Sequence, residues 1–187
     1  MTHLADIRLL DPALEPVAEK VLAGERLDRS DGLVVATTDD LLGVGRLANL
    51  VRERLHGDRT YYNINRHLNP TNVCVASCKL CAFYVPWRDR ESGWTYSVEQ
   101  AVEVAAKDVD ETVSELHIVG GLHPKLRVEY YEELFMALKR RFPWIHIKAL
   151  TMIELDFIAT ASRMELGKLI ARLRNAGLDS CPGGGAE

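Results

Sequence analysis

A parallel α/β fold, the N-terminal half of a (β/α) barrel behind a helical extension, is what three features of this 187-residue sequence predict. Strand-like and helix-like segments alternate from residue 60 onward, which implies parallel strands joined by right-handed crossovers, in an open sheet or, as we read it, a barrel. Glycines follow the strand segments on the side where such barrels build their sites. The chain is also short. Complete barrels of this kind take about 250 residues, so the sequence reads as truncated, with residues 1–57 as the extension and 58–187 as the first four β/α units.

The elements follow in order. Residues 12–22 have helical spacing, and Thr38-Asp39-Asp40 caps a longer amphipathic helix through Leu41, Val44, Leu47, Leu50, Val51 and Leu55 to Gly57. Residues 60–68 mix aromatic and β-branched side chains and read as a strand that Asn69-Pro70 ends. Ser97-Val-Glu-Gln100 is a capping box opening a helix to about Val109, and residues 114–119 form a short apolar strand stopped by Gly120-Gly121. A helix over 130–142, a strand over 144–150 and a helix opened by Ser162-Arg-Met-Glu165 and closed by Gly177 come next. Residues 178–181 then enter a fourth strand. The triple glycine at 183–185 marks either close approach of backbone to a ligand or a bare chain end.

Composition narrows the function classes. A chain that is 47% hydrophobic and 27% charged is that of a soluble globular protein. With 23 basic residues scattered among 27 acidic ones and a net charge of -4, nothing in the charge favours nucleic acid. The basic run Lys139-Arg140-Arg141 reads as a solvated helix end. Asp6, Asp11, Glu15 and Glu19 interrupt the N-terminal segment, which therefore reads as neither signal peptide nor membrane span, and the protein is expected in the cytoplasm.

Three of the four cysteines fall in Cys74-Val-Ala-Ser-Cys78-Lys-Leu-Cys81. Clustered thiols in such a chain point to a metal site rather than a disulfide framework. Soft thiolates suit zinc or an iron-sulfur cluster; zinc normally closes its tetrahedron with a fourth protein ligand, whereas a cluster held by three thiolates leaves one iron open to an outside molecule. His67 is the residue that could close a Cys3His zinc site, the ground for an alternative reading as a zinc-binding module without catalysis. His123-Pro124 follows the second strand, where substrate contact is expected. His146 alternates with Ile145 and Ile147 as a sheet position, and Cys181 reads as a buried apolar thiol.

The C-x3-C-x2-C loop behind a first strand, followed by Ala82-Phe83-Tyr84, resembles the cluster loop of the radical S-adenosylmethionine superfamily. More narrowly, Asn69-Pro-Thr-Asn-Val-Cys74, Cys78-Lys-Leu-Cys-Ala-Phe-Tyr84, His117-Ile-Val-Gly-Gly-Leu-His-Pro124 and Asp179-Ser-Cys-Pro-Gly-Gly-Gly-Ala-Glu187 resemble the aminofutalosine synthase family of menaquinone biosynthesis. The resemblance implies a TIM-type barrel and a 4Fe-4S cluster on Cys74, Cys78 and Cys81. It implies S-adenosyl-L-methionine consumed as a substrate, contacted by Tyr84, Gly120, Gly121 and Glu187, and a reductant such as flavodoxin or ferredoxin. One electron would split the sulfonium, and the 5'-deoxyadenosyl radical would add to the small-molecule substrate 3-(1-carboxyvinyloxy)benzoate to give 6-amino-6-deoxyfutalosine. The sister cyclic dehypoxanthine futalosine synthase and deazaflavin-forming synthase families share the cluster loop. Two positions depart from the superfamily pattern: Leu80 stands where an aromatic is common, keeping an apolar cover, and Leu122 follows Gly-Gly where many relatives have Glu.

Overall fold

The structure, a computed structural model, describes residues 7–183, in two compact units, Met1–Tyr62 and Asn63–Glu187. The first is helical. A 3-10 turn at Pro12–Leu14 leads into α1, Glu15–Ala23, which ends at Gly24 in the left-handed region at φ 75°. Helix α2, Arg29–Thr37, opens on Asp28, whose carboxylate accepts from the Ser30 and Asp31 amides; it is a helix that sequence analysis does not assign. Helix α3, Leu41–His56, opens on Asp40 as expected. That carboxylate is buried because it accepts from the amides of Leu10 at 2.6 Å, Gly43 at 2.8 Å and Asp11 at 3.3 Å, bonds that hold its pKa below the usual range. The core joins Ile7, Val17, Ala18, Val21 and Leu47. Its apolar stripe is narrower than predicted, since Leu41 and Leu55 stay 78% and 68% exposed.

In the second unit three parallel strands, β1 (Asn65–Leu68), β4 (Glu115–Ile118) and β5 (His146–Ala149), lie in the order β1-β4-β5. Two short strands, β2 (Val73–Cys74) and β3 (Val85–Pro86), pair in parallel beside them. The predicted strand over 60–68 shrinks to its last four residues: Tyr61 and Tyr62 are 70% and 86% exposed, and strand propensity without a pairing neighbour does not make a strand. The fourth strand is represented by one parallel bridge, Lys148 to Ser180.

Helices α4 (Val98–Asp108), α5 (Val128–Arg141), α6 (Met152–Ala161) and α7 (Leu166–Ala176) follow the strands. The capping box at Ser97 and Gln100 forms as predicted. The one predicted at Ser162 does not: Ser162 has helical backbone, ends α6, and its hydroxyl accepts from the Val128 amide, while Glu165 caps α7. Helix α6 itself opens on the true box Thr151 and Glu154. Lys139 is not a solvated end either, since it reaches the Ile145 carbonyl at 2.8 Å and the Asp179 carboxylate at 2.7 Å.

Leu68, Leu116, Ile118, Ile147 and Ala149 bury one sheet face against Val128, Leu134, Phe135, Leu138, Leu169 and Leu173, each large side chain worth roughly 1.5–3 kcal/mol. The intervening residues, Asn65, His67, His117, His146 and Lys148, remain exposed or half-buried. Helices on one face and an uncovered second face are the arrangement of a barrel wall, not of a doubly wound sheet. No described helix is long and apolar enough to cross a membrane.

Candidate functional site

The cysteine loop is fastened at its base and open at its tip. Buried Thr71 and Asn72 anchor the base: the Thr71 hydroxyl donates to the Trp94 carbonyl at 2.9 Å and accepts from the Val73 amide at 3.1 Å, and the Asn72 side chain accepts from the Trp94 amide at 2.8 Å. The cysteine strand is then laced to the end of β4. Asn69 donates to the Val119 carbonyl at 2.7 Å, the Gly121 amide to Thr71 at 2.9 Å, and the Val75 amide to Leu122 at 3.0 Å. The Leu122 amide meets the Cys74 sulfur at 3.2 Å, a donor placed where a thiolate gains from one.

Glycine at 121 is explained by this contact. A β-carbon there would lie 2.3 Å from the Val73 carbonyl oxygen and 3.1 Å from the Cys74 β-carbon. At Gly120 it would meet the Thr71 carbonyl at 3.1 Å. The Gly-Gly turn is thus the surface on which the cysteine strand rests.

Glu154, which sequence analysis does not single out, supports that turn from behind. One carboxylate oxygen accepts from the Gly120 amide at 2.9 Å and the other from Thr151 at 2.7 Å. Burial nevertheless raises its pKa above the ordinary value, outweighing those bonds. Leu150, just before this cap, sits in the left-handed region at φ 63°, so β5 turns sharply into α6. A Thr-x-x-Glu box after a strand is the sequence signal for this residue.

All four cysteines are free thiols; Cys78 and Cys81 are exposed, Cys74 and Cys181 half-buried. Among the described residues no three His, Cys, Asp or Glu side chains are gathered closely enough to hold a metal ion. The donor set nonetheless suits a cluster: three thiols lie on one loop, two of them on a solvent-facing stretch tied by the Cys81 amide to the Cys78 carbonyl at 3.1 Å. Leu80 is fully exposed on that stretch and covers nothing, contrary to the expectation for it. Cys74 and Tyr84 share a cleft of about 340 Å³ with Ser77, Trp87 and Arg88. Trp87 and Arg88 are site residues that sequence analysis misses, because the β2–β3 pairing is what brings them to the cysteines.

The histidines separate. His123 is buried, its ring edge-on to Trp87 at 5.2 Å, with burial and then Lys125 lowering its pKa. It packs against Trp87, one of the cleft's lining residues. His67 stacks on His117, with ring centroids 5.0 Å apart. Cys181 packs at the edge of the core, where burial raises its pKa. Glu187 lies outside the described residues.

Comparison with known proteins places this arrangement. The sequence pattern of the Radical SAM superfamily matches residues 68–183. The chain is 41% identical over 177 residues to aminodeoxyfutalosine synthase of Thermus thermophilus, covering 95% of this chain and 47% of that protein. It is 36% identical over 190 residues to cyclic dehypoxanthine futalosine synthase of Streptomyces coelicolor, covering 100% of this chain and 46% of that one. The chain therefore spans about half the length of the curated relatives it matches. Among solved structures, methylornithine synthase superposes with a TM-score of 0.58 at 17% identity, over 88% of this chain and 46% of that one, a likeness of fold.

Proposed function

The chain belongs to the Radical SAM superfamily, and from that premise we propose that it is the cluster-bearing half of an aminofutalosine synthase. The reaction joins the adenosyl part of S-adenosyl-L-methionine to 3-(1-carboxyvinyloxy)benzoate, with loss of the carboxyl carbon, to give 6-amino-6-deoxyfutalosine. The observation that carries the reading is the laced junction between the cysteine strand and the Gly-Gly end of β4, which fixes a thiol-bearing loop against the C-terminal end of a barrel strand. Higher identity to an aminodeoxyfutalosine synthase than to the cyclic dehypoxanthine enzyme supports the choice between sisters.

When bound, a 4Fe-4S cluster with S-adenosyl-L-methionine supplies one-electron cleavage of the sulfonium, with the electron from a flavodoxin or ferredoxin. The chain's residues supply position. Cys74, Cys78 and Cys81 would hold the cluster, and the Leu122 amide lies against the Cys74 sulfur. Gly120 and Gly121 offer backbone to the methionine end, held in place by Glu154. Tyr84 and Trp87 line the cleft and would offer flat surfaces to the adenine. Product analysis on anaerobically reconstituted protein tests the reading. An adenosine adduct of the carboxyvinyloxybenzoate is expected; hydrogen-abstraction products alone would assign a sister enzyme.

A further inference from the structure

Strands of a parallel sheet covered on both faces read as continuous apolar runs. These three do not. Their register sets Asn65, Glu115 and His146 in one row and His67, His117 and Lys148 in the next, all on the face away from the helical core. The wall that would face a barrel's interior is therefore polar along its length.

Lys148 Nζ lies 2.9 Å from Glu115 Oε1, and while the Glu115 side chain is 8% exposed, that of Lys148 remains 27% exposed. Burial raises the Glu115 pKa, but the bond and charge of Lys148 outweigh it and leave the carboxyl below its ordinary value. An ammonium has three donors, so the ion pair leaves two for another acceptor. His146 is occupied with the Ser180 hydroxyl at 2.7 Å. His67 and His117 stack with 24° between their planes, a flat double imidazole beside Lys148 in the same row. Burial first, then the neighbouring His67 and Lys148, lowers the His117 pKa and so favours its neutral ring.

The pair with Glu115 needs no ligand, but two stacked imidazoles are not what a packed interior calls for; apolar side chains would fill it better. We propose that Lys148, with His117 next to it in the row and His67 beyond, is the receptor for the carboxylate of an aromatic acid inside the barrel. The Lys148 charge is matched by Glu115, so a carboxylate is selected by the ammonium donors that the pair leaves unused, which call for an acceptor. The stacked imidazoles offer a face to an aromatic ring. The proposal rests on the function above for the acid's identity, which would be the ring carboxylate of carboxyvinyloxybenzoate.

A matched pair of probes, 3-methoxybenzoate and 3-methoxybenzamide, tests it by calorimetric binding to the reconstituted protein, independently of turnover. The acid is expected to bind at least tenfold more tightly than the amide. Lys148→Met should erase that preference. Because Lys148→Met alone strands a buried carboxylate, the double variant Glu115→Gln/Lys148→Met should do the same without an orphaned charge. Equal binding of the two probes to the unaltered protein, no binding of either, or a preference that survives the double variant would each overturn the proposal. Failure to form the adenosine adduct would instead overturn the assigned reaction and leave the probe measurement to decide the carboxylate receptor.

Discussion

Cys78→Ala is expected to abolish iron loading and reductive cleavage of S-adenosyl-L-methionine, a loss far beyond the roughly 10–100-fold that removing an outer-shell partner of a metal site costs. The fold should hardly notice. Cys78 is exposed on the loop tip, and surface substitutions of this kind usually stay within about 0.5 kcal/mol. Cys181→Ala serves as the contrast, because that thiol packs at the core's edge and is not part of the cysteine loop, so its removal should leave iron content unchanged. Iron and sulfide analysis together with methionine release would check both. A Cys78→Ala protein that keeps its iron and still cleaves the sulfonium would remove the basis of the proposed chemistry.

Gly121→Ala should damage the fold and the site together. The new β-carbon would lie 2.3 Å from the Val73 carbonyl oxygen and 2.7 Å from its carbon, both backbone atoms that cannot step aside. The end of β4 would have to lift away from the cysteine strand, straining the bond from Gly121 to Thr71 and the Leu122 contacts with Val75 and Cys74. Overpacking costs about 1–3 kcal/mol and each weakened hydrogen bond about 1 kcal/mol. A total near 3 kcal/mol lowers Tm by about 10 °C in a chain of this size. Gly45→Ala, in α3 with nothing within 4 Å of the added carbon, should be neutral or slightly stabilising. Thermal melts of the two variants decide this; a Gly121→Ala protein melting within about 2 °C of the unaltered one would show that the close approach is not needed.

How far the sequence disclosed this architecture depends on what each signal measures. The Ser97 and Gln100 box and the Asp40 cap were legible because acceptor, spacing and helix start coincide locally. Ser162-x-x-Glu165 has the same spelling and fails, since Ser162 continues the helix before it, and a pattern of side chains does not report backbone conformation. The boxes Asp28-x-x-Asp31 and Thr151-x-x-Glu154 went unread, the second although it directly follows a predicted strand. The thiol spacing and the Gly-Gly stop pointed to the correct strand ends. What brings Trp87 and Arg88 to Cys74, and Glu154 beneath Gly120, is tertiary pairing over tens of residues. The polar wall was written in the alternation of Glu115-Leu-His-Ile118 and His146-Ile-Lys-Ala149, but that pattern acquires meaning once the helices are known to cover one face.

The proposed chemistry needs three thiolates that hold a cluster with one iron free for the sulfonium substrate. Electron paramagnetic resonance of the dithionite-reduced, reconstituted protein, recorded with and without S-adenosyl-L-methionine carrying a carbon-13 carboxylate, tests it most directly. A 4Fe-4S signal that shifts on addition and shows coupling to the labelled carboxylate is the predicted result. An unchanged spectrum without that coupling, or a protein that takes up one zinc and no iron, would contradict it.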